Sequence, residues 1–352
     1  MSGVRRAPVN RLLIRSVNWL GDAIMTTPAI DVIRRNFPQA EITLLANPLV
    51  SQLFQHFPAL DRIITFDRSG THGGVLGRLR LAGELRKEHF DAAIIFPNSF
   101  DSAFVPWLAG IPRRLGKNSD GRGLLLTERV SPRKLKAGGH EVDNYLELLR
   151  SFGLQGQASK PHLTTTVVEQ QAAAARFSEA GISPDDFLLG INPGATFGSA
   201  KRWYPDRFAE AARRLSAAWG AKVVIFGGPG ETDIAGEIEQ LLPGSLNLAG
   251  KTDVRQLMAL IQRCNFFITN DSGPMHIAAA FDVPLVAVFG STDHSGTAPC
   301  SAHARIVRRD IPCAPCKLRE CPTDHKCMTA VTADDVVQAA LQVASQQASG
   351  RG

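Results

Sequence analysis

The strongest constraint on the fold is an alternation that the chain runs through twice. Short apolar stretches rich in β-branched and aromatic residues, Arg11–Val17, Glu41–Ala46, Arg62–Phe66 and Asp91–Pro97, are each followed by helix-like spacing. The rhythm returns at Phe187–Asn192, Lys222–Phe226, Phe266–Asn270 and Pro284–Phe289, with helices expected over Asp206–Trp219, Asp253–Cys264 and Gly273–Phe281. Apolar runs this short, bounded by turn residues, read as buried strands. Strands alternating with helices predict parallel sheets covered on both faces. Between the two series, Gly153–Pro161 is rich in Gly, Gln and Ser without periodicity and reads as a linker. The expected fold is therefore α/β, with two Rossmann-like parallel-sheet domains, residues 1–160 and 161–330, facing each other across a cleft. Val168–Ala180 is expected to be the first helix after the linker. A last helix, Thr332–Gln347 within residues 331–352, is expected to take Thr332 as its cap and to be able to pack back on the first domain. A helix over Ala23–Phe37 contains Pro28, which predicts a kink or break there.

Bulk properties narrow the function classes. A chain of 352 residues with 44% hydrophobic and 20% charged residues is ordinary globular material, long enough for two cores. No run approaches the ~20 apolar residues of a membrane span. Arg5, Arg6 and Arg11 precede an apolar stretch, but Leu12–Ile14 is too short for a secretion-signal core, so a cytoplasmic protein is expected. The net charge of +6 suits an anionic partner such as a nucleotide, a nucleic acid or an acidic membrane face. With 2 Tyr and 4 Trp, and no basic stripe interleaved with aromatics, a nucleic-acid groove is disfavoured.

In parallel sheets, ligands lie beyond the carboxyl ends of the strands, where helix amino termini point. The first strand runs into Asn18-Trp19-Leu20-Gly21-Asp22. Asp22 reads either as a helix cap or as a carboxylate able to take a proton from an incoming hydroxyl. A later strand runs into Pro193-Gly194-Ala195-Thr196-Phe197-Gly198-Ser199-Ala200-Lys201-Arg202-Trp203, whose glycines, hydroxyls and cations suit a phosphate, although the P-loop ending is absent. Phe266–Asn270 leads into Asp271-Ser272-Gly273-Pro274-Met275-His276, with Pro274 in the first helical turn. Such a helix start offers free N–H groups and a positive dipole end to a diphosphate, and His276 is a candidate second ligand. Gly227-Gly228-Pro229-Gly230-Glu231 lacks the GxGxxG pattern, so a nicotinamide cofactor is not expected; Glu231 reads as a ribose ligand or a helix-start carboxylate.

These stretches, together with Pro97-Asn98-Ser99-Phe100 and Ala109-Gly110-Ile111-Pro112, resemble glycosyltransferase family 9, the ADP-heptose:lipopolysaccharide heptosyltransferases, and within it the heptosyltransferase II type. The resemblance spans nearly the whole chain. It implies the GT-B architecture and an inverting, metal-independent transfer of L-glycero-D-manno-heptose from ADP-heptose to the first heptose of a lipid A-anchored inner core. By resemblance Asp22 is the base and Lys201 the cation on the donor diphosphate. Gly194, Ala195, Thr196, Glu231, Asp271, Ser272, Gly273 and His276 form the donor side; Asn18, Trp19, Asn98 and Ser99 form the acceptor side. Transient contact with the inner face of the inner membrane is implied, and no nucleic acid. The stretch Arg113–His140 carries no assignment.

Cys313, Cys316, Cys321 and Cys327 lie within 15 residues, with His325 beside Cys327. In a reducing compartment this fits reduced surface thiols better than a structural zinc ion, since only the first pair has CxxC spacing. Arg78, Arg80, Arg86 and Lys87 with Leu76, Leu79 and Leu81 form a basic, apolar segment that suits a membrane face, though a helix with one solvated side accounts for it more simply. Two rivals stand: heptosyltransferase I-type transfer onto Kdo-lipid A, and a nucleotide-responsive, zinc-containing protein that contacts nucleic acid.

Overall fold

The computed structural model describes residues 8–131 and 139–350. Arg5, Arg6 and residues 132–138 of the unassigned stretch lie outside the described residues. The chain divides into two compact units, the first ending at Ser159 and the second beginning at Lys160.

The first unit runs β1 (Arg11–Arg15), α1 (Leu20–Met25), α2 (Thr27–Asn36), β2 (Glu41–Ala46), α3 (Pro48–Leu53) and β3 (Arg62–Thr65). It continues with α4 (Gly74–Lys87), β4 (Ala92–Ile95), α5 (Phe100–Leu108), β5 (Arg113–Lys117), β6 (Glu128–Val130) and α6 (Glu141–Ser151). The second unit runs α7 (Val167–Glu179), β7 (Leu188–Asn192), α8 (Pro205–Trp219), β8 (Lys222–Ile225), α9 (Thr232–Leu241), β9 (Leu246–Asn247) and α10 (Val254–Arg263). It ends with β10 (Phe266–Asn270), α11 (Gly273–Ala280), β11 (Leu285–Val288), α12 (His294–Thr297), β12 (Ala304–Val307), α13 (Lys326–Thr329) and α14 (Ala333–Gly350).

Each unit holds one six-stranded sheet, ordered β3-β2-β1-β4-β5-β6 and β12-β11-β10-β7-β8-β9, and every pairing is parallel. Numbered from its own first strand, the second sheet repeats the order of the first, the doubly wound Rossmann arrangement. In each sheet the strand order reverses at one place, between β1 and β4 and between β7 and β10. The central strands are apolar on both faces because helices cover both: Leu12, Leu13 and Ile14 of β1 and Phe267 and Ile268 of β10 are fully buried.

The strands that sequence pattern missed, β5, β6, β9 and β12, lie at or next to sheet edges. Half exposed, they carry sequences such as Arg113-Arg114-Leu115-Gly116-Lys117 and lack the continuous apolar run of a central strand. Pro28 does break the expected first helix. α1 ends at Met25, Thr26 bridges, and α2 begins at Thr27 with the proline in its first turn, where no hydrogen bond is lost.

The helix after the linker is tied to the second unit by charge as well as by packing. Thr166 and Glu169 form a capping box at the start of α7. Glu169 also pairs with Arg255 of α10 at 2.7 Å, and that guanidinium is the main cause holding the carboxyl down to about 2. At the other end, Asp335 N–H donates to the Thr332 hydroxyl, so Thr332 caps α14 as its sequence suggested. That helix packs on α8, β11 and β12 of the second unit.

Candidate active site

The sequence candidates lie on five loops: four are the loops at the two reversal points, and the fifth, Gly227–Glu231, follows β8. Ligands in such sheets bind beyond the carboxyl edge at that point, because helices on either side leave a crevice there.

In the second unit, β7 and β10 lie side by side and both end in asparagine. Asn270 donates from Nδ2 to Pro193 O at 2.6 Å and accepts from Trp203 N–H at 3.0 Å, so the last residue of β10 fixes both ends of the 193–203 loop. Asn192 donates to Gly194 O and to Ser272 Oγ, each at 3.2 Å. Trp203, 1% exposed, packs its ring edge against Phe208 and donates from its indole to Val331 O, anchoring the far end of the loop in the core. Gly194 is required by close approach: a Cβ there would sit 2.0 Å from the Glu231 carboxyl carbon. Glu231 itself is buried and accepts from Gly228 N–H at 2.7 Å, which is the helix-start role anticipated for it.

Lys201 Nζ lies 2.6 Å from Asp271 Oδ2, with the two side chains 15% and 5% exposed. Thr292 Oγ1 donates to the same carboxylate oxygen at 2.5 Å. The pair therefore brings together two residues assigned to the donor side, and Asp271 offers its charge first to lysine. Ser272 is the N-cap residue of α11, yet it makes no side-chain capping bond. Its hydroxyl turns back to Asn192 and to Thr269 Oγ1 at 3.2 Å. The amino end of α11 thus keeps its dipole uncovered by a capping side chain, which suits an anion. His276 is buried in this helix, one residue beyond Met275. Ala195 is buried and Thr196 exposed in the same loop.

In the first unit, the carboxyl ends of β1 and β4 are adjacent. Asp22 is not the helix cap: α1 begins at Leu20 with Trp19 as N-cap residue, so Asp22 is the third helical residue, half-buried in the first turn. Its charge acts on Tyr145 of α6, whose phenol is pushed well above its ordinary value by burial first, then by Asp22 and Glu141. Trp19 is 48% exposed beside it. Asn18 accepts from Arg15 at 3.3 Å, a buried guanidinium that desolvation pushes down to about 10. Asn98 and Ser99 end the β4 loop and are held from the stretch that sequence left unassigned. Ser119 Oγ donates to Asn98 O at 2.9 Å, Asp120 accepts from Phe100 N–H at 2.7 Å, and buried Arg122 donates to Pro97 O and Ser102 Oγ.

Sequence reading missed Asn192, Thr292 and Arg122. A signal existed for the asparagines, since a polar residue closing each of two apolar strands has no core role. The four cysteines cluster in sequence, and among the described residues no group of three or more His, Cys, Asp or Glu is placed to hold a metal ion. Cys313 is exposed and Cys327 buried. Burial, then the neighbouring Cys321, Cys313 and Cys316, pushes the Cys327 thiol up. The membrane segment is also revised, because Leu81 is fully buried and Arg78 is paired with Asp101. Leu76 and Leu79 do face out, 81% and 49% exposed. Among the described residues no helix is long and apolar enough to cross a membrane.

Comparison with known proteins shows the family and the fold. The family model described as glycosyltransferase family 9 (heptosyltransferase) matches residues 78–327. Lipopolysaccharide heptosyltransferase 2 of Salmonella typhimurium is 34% identical over 313 residues, covering 85% of this chain and 88% of that one. The solved structure of E. coli ADP-heptose LPS heptosyltransferase II superposes with a TM-score of 0.80 at 29% identity, covering 96% of this chain and 99% of that one. A family 9 glycosyltransferase from Veillonella parvula gives 0.87 at 27% identity, covering 96% and 98%.

Proposed function

This chain belongs to glycosyltransferase family 9, and on that premise we propose that it moves L-glycero-D-manno-heptose from ADP-heptose onto the first heptose of the lipopolysaccharide inner core. The observation that carries the donor side is the uncapped amino end of α11 beside the buried Lys201–Asp271 pair, at the reversal point of the second sheet. Adenosine diphosphate leaving a sugar carries growing negative charge. Oriented N–H groups and a fixed ammonium stabilise that charge without reorganising at the moment of reaction. The diphosphate falls to Gly194–Thr196, Lys201 and Ser272–His276, with Glu231 near the ribose.

The acceptor side falls to the first unit. The acceptor hydroxyl oxygen bonds to the anomeric carbon as the bond from that carbon to the diphosphate oxygen breaks, with inversion, and Asp22 takes the hydroxyl proton. Burial, and then the charges of Asp22 and Glu141, favour the protonated Tyr145 phenol. Asn18, Trp19, Asn98 and Ser99 surround the same strand ends and are assigned to the acceptor sugar.

The acceptor is anchored in lipid, so we assign transient inner-membrane contact to the exposed Val75, Leu76 and Leu79 of α4 with Arg80 and Lys87. The enzyme is read as working at the cytoplasmic side of the inner membrane, without nucleic acid and without a divalent ion in catalysis. The cysteines are read as reduced thiols; one zinc per chain after chelator-free purification would overturn that.

The test is a panel of lipid A cores carrying no, one or two heptoses, assayed with ADP-heptose in EDTA. Transfer onto the core with one heptose is expected. Preference for the heptose-free core would establish the heptosyltransferase I-type reading instead.

A further inference from the structure

The donor loop is held by the cysteine-bearing segment, and that segment brings a cation with it. Ala200 N–H donates to Arg319 O at 2.9 Å, and His325 Nε2 lies 3.0 Å from Ala200 O. His325 Nδ1 lies 3.3 Å from the Tyr204 hydroxyl, so one imidazole bridges two residues flanking Lys201. Gly198 is pressed so closely on the segment that a Cβ there would fall 2.2 Å from Arg319 O. The segment's own ends are fixed: Lys317 N–H donates to Ser291 O at 2.7 Å, and Cys327 is buried against Gly290.

Above this backbone contact stands a single aromatic ring with two cations. Lys201 Nζ is 5.1 Å and the Arg319 guanidinium carbon 5.4 Å from the Phe197 ring centre. The two cations differ in one respect. Lys201 is already matched by Asp271, so the buried pair is close to neutral. Arg319 is exposed and, among the described residues, makes no ion pair. A diphosphate arriving beside a neutral pair would still need its charge balanced.

We propose that Arg319 is a second donor-binding cation, carried to the diphosphate of the nucleotide sugar by the cysteine-bearing segment and aimed by Phe197. This rests on the donor assignment above and adds to it a residue that no sequence motif pointed to. The ring fixes the direction of a planar guanidinium, whose forked N–H groups match phosphate oxygens better than an ammonium does. His325 and the carbonyl of Arg319 act as positioning groups for Lys201.

The test uses Arg319→Gln and Arg319→Lys in the full-length protein, with ADP and adenosine as calorimetric ligands. The hydrogen bond from Ala200 N–H is accepted by the backbone carbonyl of Arg319, so changing the Arg319 side chain leaves the loop braced. Arg319→Gln is expected to weaken ADP binding at least tenfold, to leave adenosine binding within twofold, and to flatten the salt dependence of ADP binding. Arg319→Lys is expected to recover at least half of the lost affinity on a logarithmic scale. ADP binding by Arg319→Gln within twofold of the wild type would overturn the proposal, and so would a parallel loss for adenosine, which marks collapse of the loop. If the wild type binds neither ligand, the donor assignment itself has failed.

Discussion

Replacing Lys201 by methionine separates what this residue does for the fold from what it does for turnover. The variant leaves the Asp271 carboxylate, in a side chain only 5% exposed, without its cation and with one hydroxyl donor from Thr292. Removing one partner of a buried ion pair typically costs about 3–5 kcal/mol, because the remaining charge stays out of water. The side chain of Lys201 is itself 15% exposed, so the lower end, about 3 kcal/mol, is expected in chemical denaturation. A double variant, Lys201→Met with Asp271→Asn, removes the stranded charge and keeps an acceptor for Thr292. It is expected to recover most of that stability. Turnover behaves differently. Losing one preorganised donor at a developing anion costs about 3–4 kcal/mol of barrier, a fall of about 10²–10³ in kcat. Both variants are therefore expected to transfer heptose at least a hundredfold more slowly, in a coupled assay of ADP release. Restored turnover in the double variant, or a single variant within threefold of wild type, would refute the role given to this lysine.

Two further outcomes follow from the same geometry. Asp22→Asn is expected to bind ADP as the wild type does while losing most of its turnover; near-normal rates would remove Asp22 as the base. Glu169 tests the packing of α7. Its folded carboxyl sits at about 2 against an ordinary value of about 4.3, so its contribution is complete above the unfolded value and disappears as pH falls from about 4.3 towards 2. The shift corresponds to at most about 3 kcal/mol. Glu169→Gln should thus be destabilised at pH 7 and match the wild type near pH 2, a convergence that urea titrations at both pH values will reveal or deny.

Much of the fold was legible because the information is local and redundant. Interior strands such as Glu41–Ala46 and Phe266–Asn270 are mostly apolar and almost wholly buried, and their limits were read without error. β6 and β12 gave no such signal, because an edge strand buries one face and draws its stability from a partner distant in sequence. The candidate site was legible for a topological reason. Both sheets reverse order at strands that end in polar loops, so Asn18–Asp22, Gly194–Lys201 and Asp271–His276 could be found from strand ends, whereas Asn98–Ser99 came only from the family resemblance. What escaped detection is whatever depends on long-range contact. Asp271 lies 70 positions from Lys201, Arg319 lies 122 positions from Phe197, and neither the ion pair nor the shared aromatic ring has a pattern in the chain. Asp22 shows the limit of local reading in another way. The capping preference of aspartate pointed to the N-cap position, while the helix starts three residues earlier than expected, at Leu20, and leaves that position to Trp19.

If the reversal point of the second sheet receives a nucleoside diphosphate, a crystal structure of the protein with ADP will show it. The diphosphate is expected within hydrogen-bonding reach of the first N–H groups of α11, with Lys201 Nζ on a phosphate oxygen. ADP bound with its phosphates away from both Gly273 and Lys201 would contradict that expectation.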